Sequence, residues 1–216
     1  ETFAFELRPA FFAGLQPDEC GVANMYYYSP NTSPFANLDI SSGDRHSINM
    51  QLREEHAKRG YTLAKHIGSC AEIPLPLLKY FDFAEKYHTA DPDSIPGHKT
   101  LFDYLREKNM NFLWIGYPEG AGTVKDVMDR FHAQLTPDQD FIYLHFSELD
   151  WAGHDHGPHS GGQRTVLRNI DAAIRDVCGR LNQVFAETRF LIFGDHGQVA
   201  INECIDLEAM LEKTGL

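Results

Sequence analysis

The stretch Phe141 to Gly161, FIYLHFSELDWAGHDHGPHSG, sets the fold of this chain. Its first six residues, Phe141, Ile142, Tyr143, Leu144, His145 and Phe146, are apolar or aromatic apart from one imidazole, and predict a buried strand. Asp150, His154, His156 and His159 follow within ten positions. Gly153, Gly157 and Pro158 are poor helix formers, so this second half is expected to be loop. An acid and several imidazoles are thereby placed just beyond a strand end.

A second stretch repeats the design. Arg189 to Gly197, RFLIFGDHG, reads as an apolar strand (Phe190, Leu191, Ile192, Phe193) that stops in Asp195 and His196. Between the two, Val166, Ile170, Ala173, Ile174, Val177 and Leu181 recur at three- and four-residue spacing, with arginines largely on the other face, which predicts an amphipathic helix. Strand, helix, strand of this length predicts a parallel crossover with both strand ends at the same sheet edge. That edge is where open α/β sheets bind ligands, and there two Asp/His pairs are expected to converge.

Working outward, Thr100 to Lys108 predicts a helix, Asn111 to Gly116 a strand, and Val124 to Leu135 a second amphipathic helix leading into Phe141. Ile205 to Lys213 predicts one more helix. This alternation predicts an α/β fold with a mostly parallel central sheet and helices on both faces. Nearer the start, a short helix or turn is expected at Ala10 to Gly14, a loop at Leu15 to Gly21 and a strand at Met25 to Tyr28. From about Phe35 to Ser94 the rhythm is lost. A helix over Arg53 to Ile67 and helical spacing over Phe81 to Tyr87 are expected there, and the whole stretch reads as a cap insertion or an irregular part of the core.

Length fits one core of 216 residues. The formal net charge of -12 repels a nucleic-acid backbone or an anionic membrane surface, and no basic run offsets it. No apolar run reaches membrane-spanning length. Cys20, Cys70, Cys178 and Cys204 are scattered without CxxC spacing and read as reduced thiols of a cytoplasmic protein.

Carboxylates and imidazoles together suit Zn²⁺, and also Mn²⁺ or Fe²⁺, better than Ca²⁺ or Mg²⁺. Two pairs on neighbouring strand ends suggest two ions, the arrangement that stabilises both the entering and the leaving oxygen of a displacement. His145, inside its strand, and His132, on a helix, read as structural. His156 and His159 stand between the two readings.

The segment Asp150-Trp-Ala-Gly-His154-Asp-His-Gly157-Pro158 resembles the D-x-x-G-H-x-x-G-P motif of the type I phosphodiesterase/nucleotide pyrophosphatase family, in the alkaline phosphatase superfamily. Gly194-Asp195-His196-Gly197 is similar to that family's S-D-H-G motif, and Gly14 to Gly21 to its G-L-Y-P-x-x-H-G segment. The resemblance implies hydrolysis of a phosphodiester or phosphomonoester with two divalent ions, zinc or manganese. Asp150 and His154 would bind one ion, Asp195 and His196 the other, and Asn24 would touch a phosphate oxygen of a small phosphorylated substrate. It places the nucleophile position on Ala4, which has no hydroxyl; the nearest is Thr2. With two ligands per ion in these residues, the chain is expected to be the core of a longer protein. The same resemblance leaves open a non-catalytic relative, or a phosphonate hydrolase or phosphomutase of the superfamily.

Overall fold

The computed structural model describes residues 4–22, 24–41, 43–63, 73–117, 122–203, 205–206, 210 and 213, the first four of these by backbone only. In chain order the elements are α1 (Ala4–Ala13), α2 (Pro17–Cys20), β1 (Tyr26–Tyr28), α3 (Arg45–Lys58), a 3₁₀ turn (Leu75–Tyr80), β2 (Phe81–Phe83), α4 (Leu101–Glu107), β3 (Phe112–Ile115), α5 (Val124–Gln134), β4 (Phe141–Leu144), α6 (Glu148–His156) and α7 (Gly161–Val184).

β3 and β4 pair in parallel, Phe112 opposite Phe141 through Ile115 opposite Leu144, with α5 as the connection between them. The pleat sends alternate side chains to opposite faces, and both faces are covered. Leu113, Ile115, Ile142 and Leu144 pack with Val127 and Phe131 of α5 and with Val166, Ile170, Ala173, Val177 and Leu181 of α7. Phe112, Trp114, Phe141 and Tyr143 instead meet Phe12 of α1 and Phe102 and Leu105 of α4. The Trp114 and Tyr143 rings stack with centroids 4.4 Å apart. Helices therefore lie on both faces of a parallel α/β pair, as the alternation predicts.

The helix limits follow from capping. Thr100 and Asp103 close a reciprocal box at the start of α4, and Thr123 and Asp126 do the same for α5. Ser160 Oγ accepts from Gln163 N to open α7.

A separate apolar cluster lies between Phe35 and Phe83, where Phe35, Ile48, Leu52, Ile73, Leu78 and Phe83 are buried together. Its sheet is the antiparallel pair β1 and β2.

Several expectations need correction. Among the described residues the sheets are two pairs of two strands, so an extended central sheet is absent from them. Phe190 to Phe193 forms no ladder and is largely exposed, Leu191 at 84%; Phe193 leans on Phe11 with ring centroids 5.0 Å apart. An apolar run becomes a strand only where a free edge accepts its backbone, and hydrophobicity alone does not choose that edge. The segment after Ser147 is helix, not loop. Glu148 and Asp150 occupy its first turn, favourable to the positive helix end, His154 and His156 occupy its last, and the turn-out waits until Gly157 at φ 82.

Phe81 to Tyr87 begins as strand, because Phe83 enters the cluster and the buried Asp82 accepts from Thr32 Oγ1 at 2.6 Å and Lys86 Nζ at 2.9 Å. Leu15 to Gly21 contains the short α2, started by Pro17 and two acids. The expected helix at Arg53 begins eight residues earlier, where Asp44 accepts from His46 N and Ser47 N. Its expected end, together with most of the helix expected at Ile205 to Lys213, lies outside the described residues, as does Thr2. No described helix is long and apolar enough to cross a membrane.

Candidate metal centre

β4 delivers its chain end into α6, so Asp150 sits in the first turn of that helix and His154 one turn later on the same face. Asp150 Oδ1 lies 3.4 Å from His154 Nε2. The second pair follows α7 and the exposed Phe190 to Phe193 segment: Asp195 Oδ2 is 3.7 Å from His196 Nε2, and Asp195 Oδ1 accepts from His196 N at 3.0 Å.

The pairs approach one another through Gln198, whose Nε2 donates to the Asp150 carbonyl oxygen and to Asp150 Oδ1, each at 2.9 Å. Immediately after β4 comes His145, held by its N–H to Ile115 O at 2.9 Å. Burial pushes its imidazole below the usual histidine range, against the pull of Asp195 and, more weakly, Asp150; Arg8 and His196 add to the depression. Burial likewise pushes the Tyr143 hydroxyl up to about 12, with the Asp195 carboxylate adding to it. Asp150, Asp195, His196 and Arg8 are thus all within electrostatic reach of His145, although among the described residues the crossover expected to bring the two pairs together is missing its second strand.

His154, His156 and His159 are exposed, and His159 takes a positive φ of 65°. Asn24 is exposed in the loop before β1, its Oδ1 accepting from Met25 N at 2.7 Å; among the described residues no hydrogen bond ties it to either Asp/His pair. Ala4 is the first residue of α1, and its side chain is outside the described residues.

The donor chemistry fits a borderline divalent ion: two carboxylates and two imidazoles, set as two Asp/His pairs. Among the described residues no three His, Cys, Asp or Glu side chains gather closely enough to hold an ion by themselves, so each pair offers part of a shell.

The family model for type I phosphodiesterase / nucleotide pyrophosphatase matches residues 5–216. The chain belongs to that family. Its members are hydrolases of phosphoesters. No curated protein and no solved structure matches the chain.

Sequence reasoning set His145 aside as structural and passed over Arg8, Gln163 and Gln198. A histidine inside an apolar strand carries no local signal that two acids will stand beside it. The glutamines acquire meaning only once α7 and the 195–198 segment are brought against α6.

Proposed function

We propose that this chain hydrolyses a phosphodiester or phosphomonoester of a small molecule with two divalent ions, zinc or manganese. Asp150 and His154 would hold one ion and Asp195 and His196 the other, with Asn24 donating to a phosphate oxygen. The observation that supports this best is that Gln198, two residues after His196, donates to Asp150 Oδ1 at 2.9 Å and so brings the two Asp/His segments together.

Bound there, the ions would neutralise charge on the phosphoryl oxygens and on the entering and leaving oxygens. The protein's part is placement: Gln198 restrains Asp150, and the α6 helical turn keeps Asp150 and His154 on one face. Ala4 supplies no oxygen for a covalent intermediate, so water is the nucleophile in this reading. Its oxygen ends on phosphorus, the bond to the leaving oxygen breaks, one of its protons leaves with the departing alcohol and the other stays with the product phosphate or passes to solvent. The net charge of -12 disfavours a nucleic-acid duplex as substrate. The separate apolar cluster between Phe35 and Phe83 supports a cap over about residues 35–94.

Ala4 also favours a second reading, a family member that binds a phosphoester and does not turn it over. Metal content measured together with turnover of a chromogenic phosphodiester distinguishes the two. Hydrolysis that needs added zinc or manganese and disappears in Asp195→Ala supports the enzyme. Bound metal without turnover, and turnover gained in Ala4→Thr, supports the binding protein; absence of metal and turnover in every form refutes both.

A further inference from the structure

We infer that Gln198 is a positioning residue that fixes the Asp150 carboxylate and couples the Asp195–His196 segment to α6. This rests on the metal reading of Asp150 only for its consequence, since the contacts exist without an ion. Gln198 Nε2 makes two hydrogen bonds of 2.9 Å to Asp150, one to the backbone carbonyl and one to Oδ1. Its Oε1 accepts from Gln163 Nε2 at 3.0 Å, and Gln163 Oε1 in turn accepts from His159 N at 2.7 Å.

That chain fixes which way each amide points. Turning Gln198 over would set its oxygen against two oxygens of Asp150 and its NH₂ against the Gln163 NH₂, replacing three attractions by three repulsions. The Ser160 hydroxyl accepts from Gln163 N, so the relay starts on a capped helix end and finishes on Asp150.

The glycine at position 153 makes the seat. A Cβ built there would stand 1.5 Å from Gln198 Oε1 and 2.5 Å from its Cδ, so any side chain expels the amide. Gly153 lies in the interior of α6 and is buried, where glycine is otherwise a poor choice. The close approach of Gln198 accounts for it.

His154 Nε2 also faces Oδ1, so both neighbours engage the same carboxylate oxygen and leave Oδ2 for another partner. Residues that orient a ligand in this manner typically change metal affinity about 10–100-fold when removed.

The test uses Gln198→Met, which keeps the length and removes the donor, Gly153→Ala, which fills the seat, and the double variant. In the metal-free protein both Gln198 side-chain NH₂ resonances should be shifted and slow to exchange; in Asp150→Ala the proton donated to Oδ1 should move to solvent-like values, while the one on the backbone carbonyl, which the variant keeps, stays in place. Competition with a chromophoric chelator should show one zinc equivalent bound about 10–100-fold more weakly in each single variant, with no further loss in the double. Both NH₂ resonances unchanged in Asp150→Ala, the one assigned to Oδ1 included, overturn the proposal whether or not metal binds. Zinc affinity as in the unmodified protein for Gln198→Met overturns it too. A protein that binds no zinc at all refutes the metal reading instead, and the resonances then decide the clamp alone.

Discussion

Arg8 of α1 and Glu85, just past β2, form a partly buried ion pair: Nη2 is 2.6 Å from Oε2 and Nε 3.3 Å from Oε1. The pair joins the helix beneath the sheet to the segment that follows β2, and its guanidinium also lies over the Tyr117 ring at 5.0 Å. Removing one partner strands the other in a low-dielectric setting. Arg8→Ala is therefore expected to cost about 1–3 kcal/mol, below the loss for a fully buried pair, and adding Glu85→Ala to recover part of it. Denaturant unfolding of the two single variants and the double checks this; strictly additive losses would show that the charges are uncoupled.

The same pair gives a pH dependence. Burial raises the Glu85 carboxyl above its ordinary value, and the Arg8 charge and hydrogen bond only partly reverse it. The folded state thus holds this proton more tightly than the unfolded chain does. Its contribution is complete below the ordinary glutamate value of 4.5 and is lost as pH rises through the raised folded value. Glu85→Gln cannot titrate, so the stability difference between unmodified and variant protein should shift against the unmodified protein over that interval. Melting temperatures of both across pH 4 to pH 8 would reveal the crossing trends, and parallel curves would contradict the assignment.

Phe131 is fully buried against β3, β4 and α7, while Leu191 is 84% exposed. Phe131→Ala should cost about 3–5 kcal/mol through the lost contacts and the cavity left behind. Leu191→Ala should stay within about 0.5 kcal/mol of unmodified protein, as surface substitutions do. A loss of several kcal/mol at Leu191 would mean that this segment is paired as a strand in solution.

Gly116, at the exit of β3, faces Tyr143 Cε1 at 2.9 Å and Trp114 Cε2 at 3.1 Å from where a Cβ would stand. Both rings belong to the aromatic face of the sheet and are held by Phe12 and Phe102. Gly116→Ala is expected to destabilise by about 1–3 kcal/mol through overpacking. Near-ultraviolet circular dichroism should register the displaced Trp114–Tyr143 stack.

The two proposed ions should be separable. Elemental analysis of Asp150→Asn together with His154→Ala should show one equivalent lost relative to unmodified protein, and Asp195→Asn together with His196→Ala the other. Both equivalents lost with either double substitution would point to one shared centre, and neither lost would place the metal elsewhere.

What could be read from the chain alone was whatever short-range spacing dictates. It predicts helices at Thr100 to Lys108 and Val124 to Leu135, where they stand, and the spacing of Val166 through Leu181 marks the buried stripe of α7. The alternation over Leu113 and Ile115, and over Ile142 and Leu144, falls on the α5/α7 face of the parallel pair. Asp150, His154, Asp195 and His196 were singled out as candidate ligands by motif, because residue types at fixed spacing are local facts.

Tertiary structure decided the rest. Gly153 reads as a helix breaker until Gln198 is seen seated over it, and then it is the residue that lets α6 continue beneath that amide. The RFLIF run reads as a strand, yet a strand exists only with a partner edge, which no local pattern specifies. His145 comes within electrostatic reach of Arg8 and the acids because β4 packs against α1 on one face and runs on into α6, a juxtaposition fixed by packing across residues far apart in sequence. Hydrogen bonds within a turn are encoded within that turn, whereas the electrostatic surroundings of a buried side chain depend on every element that closes over it.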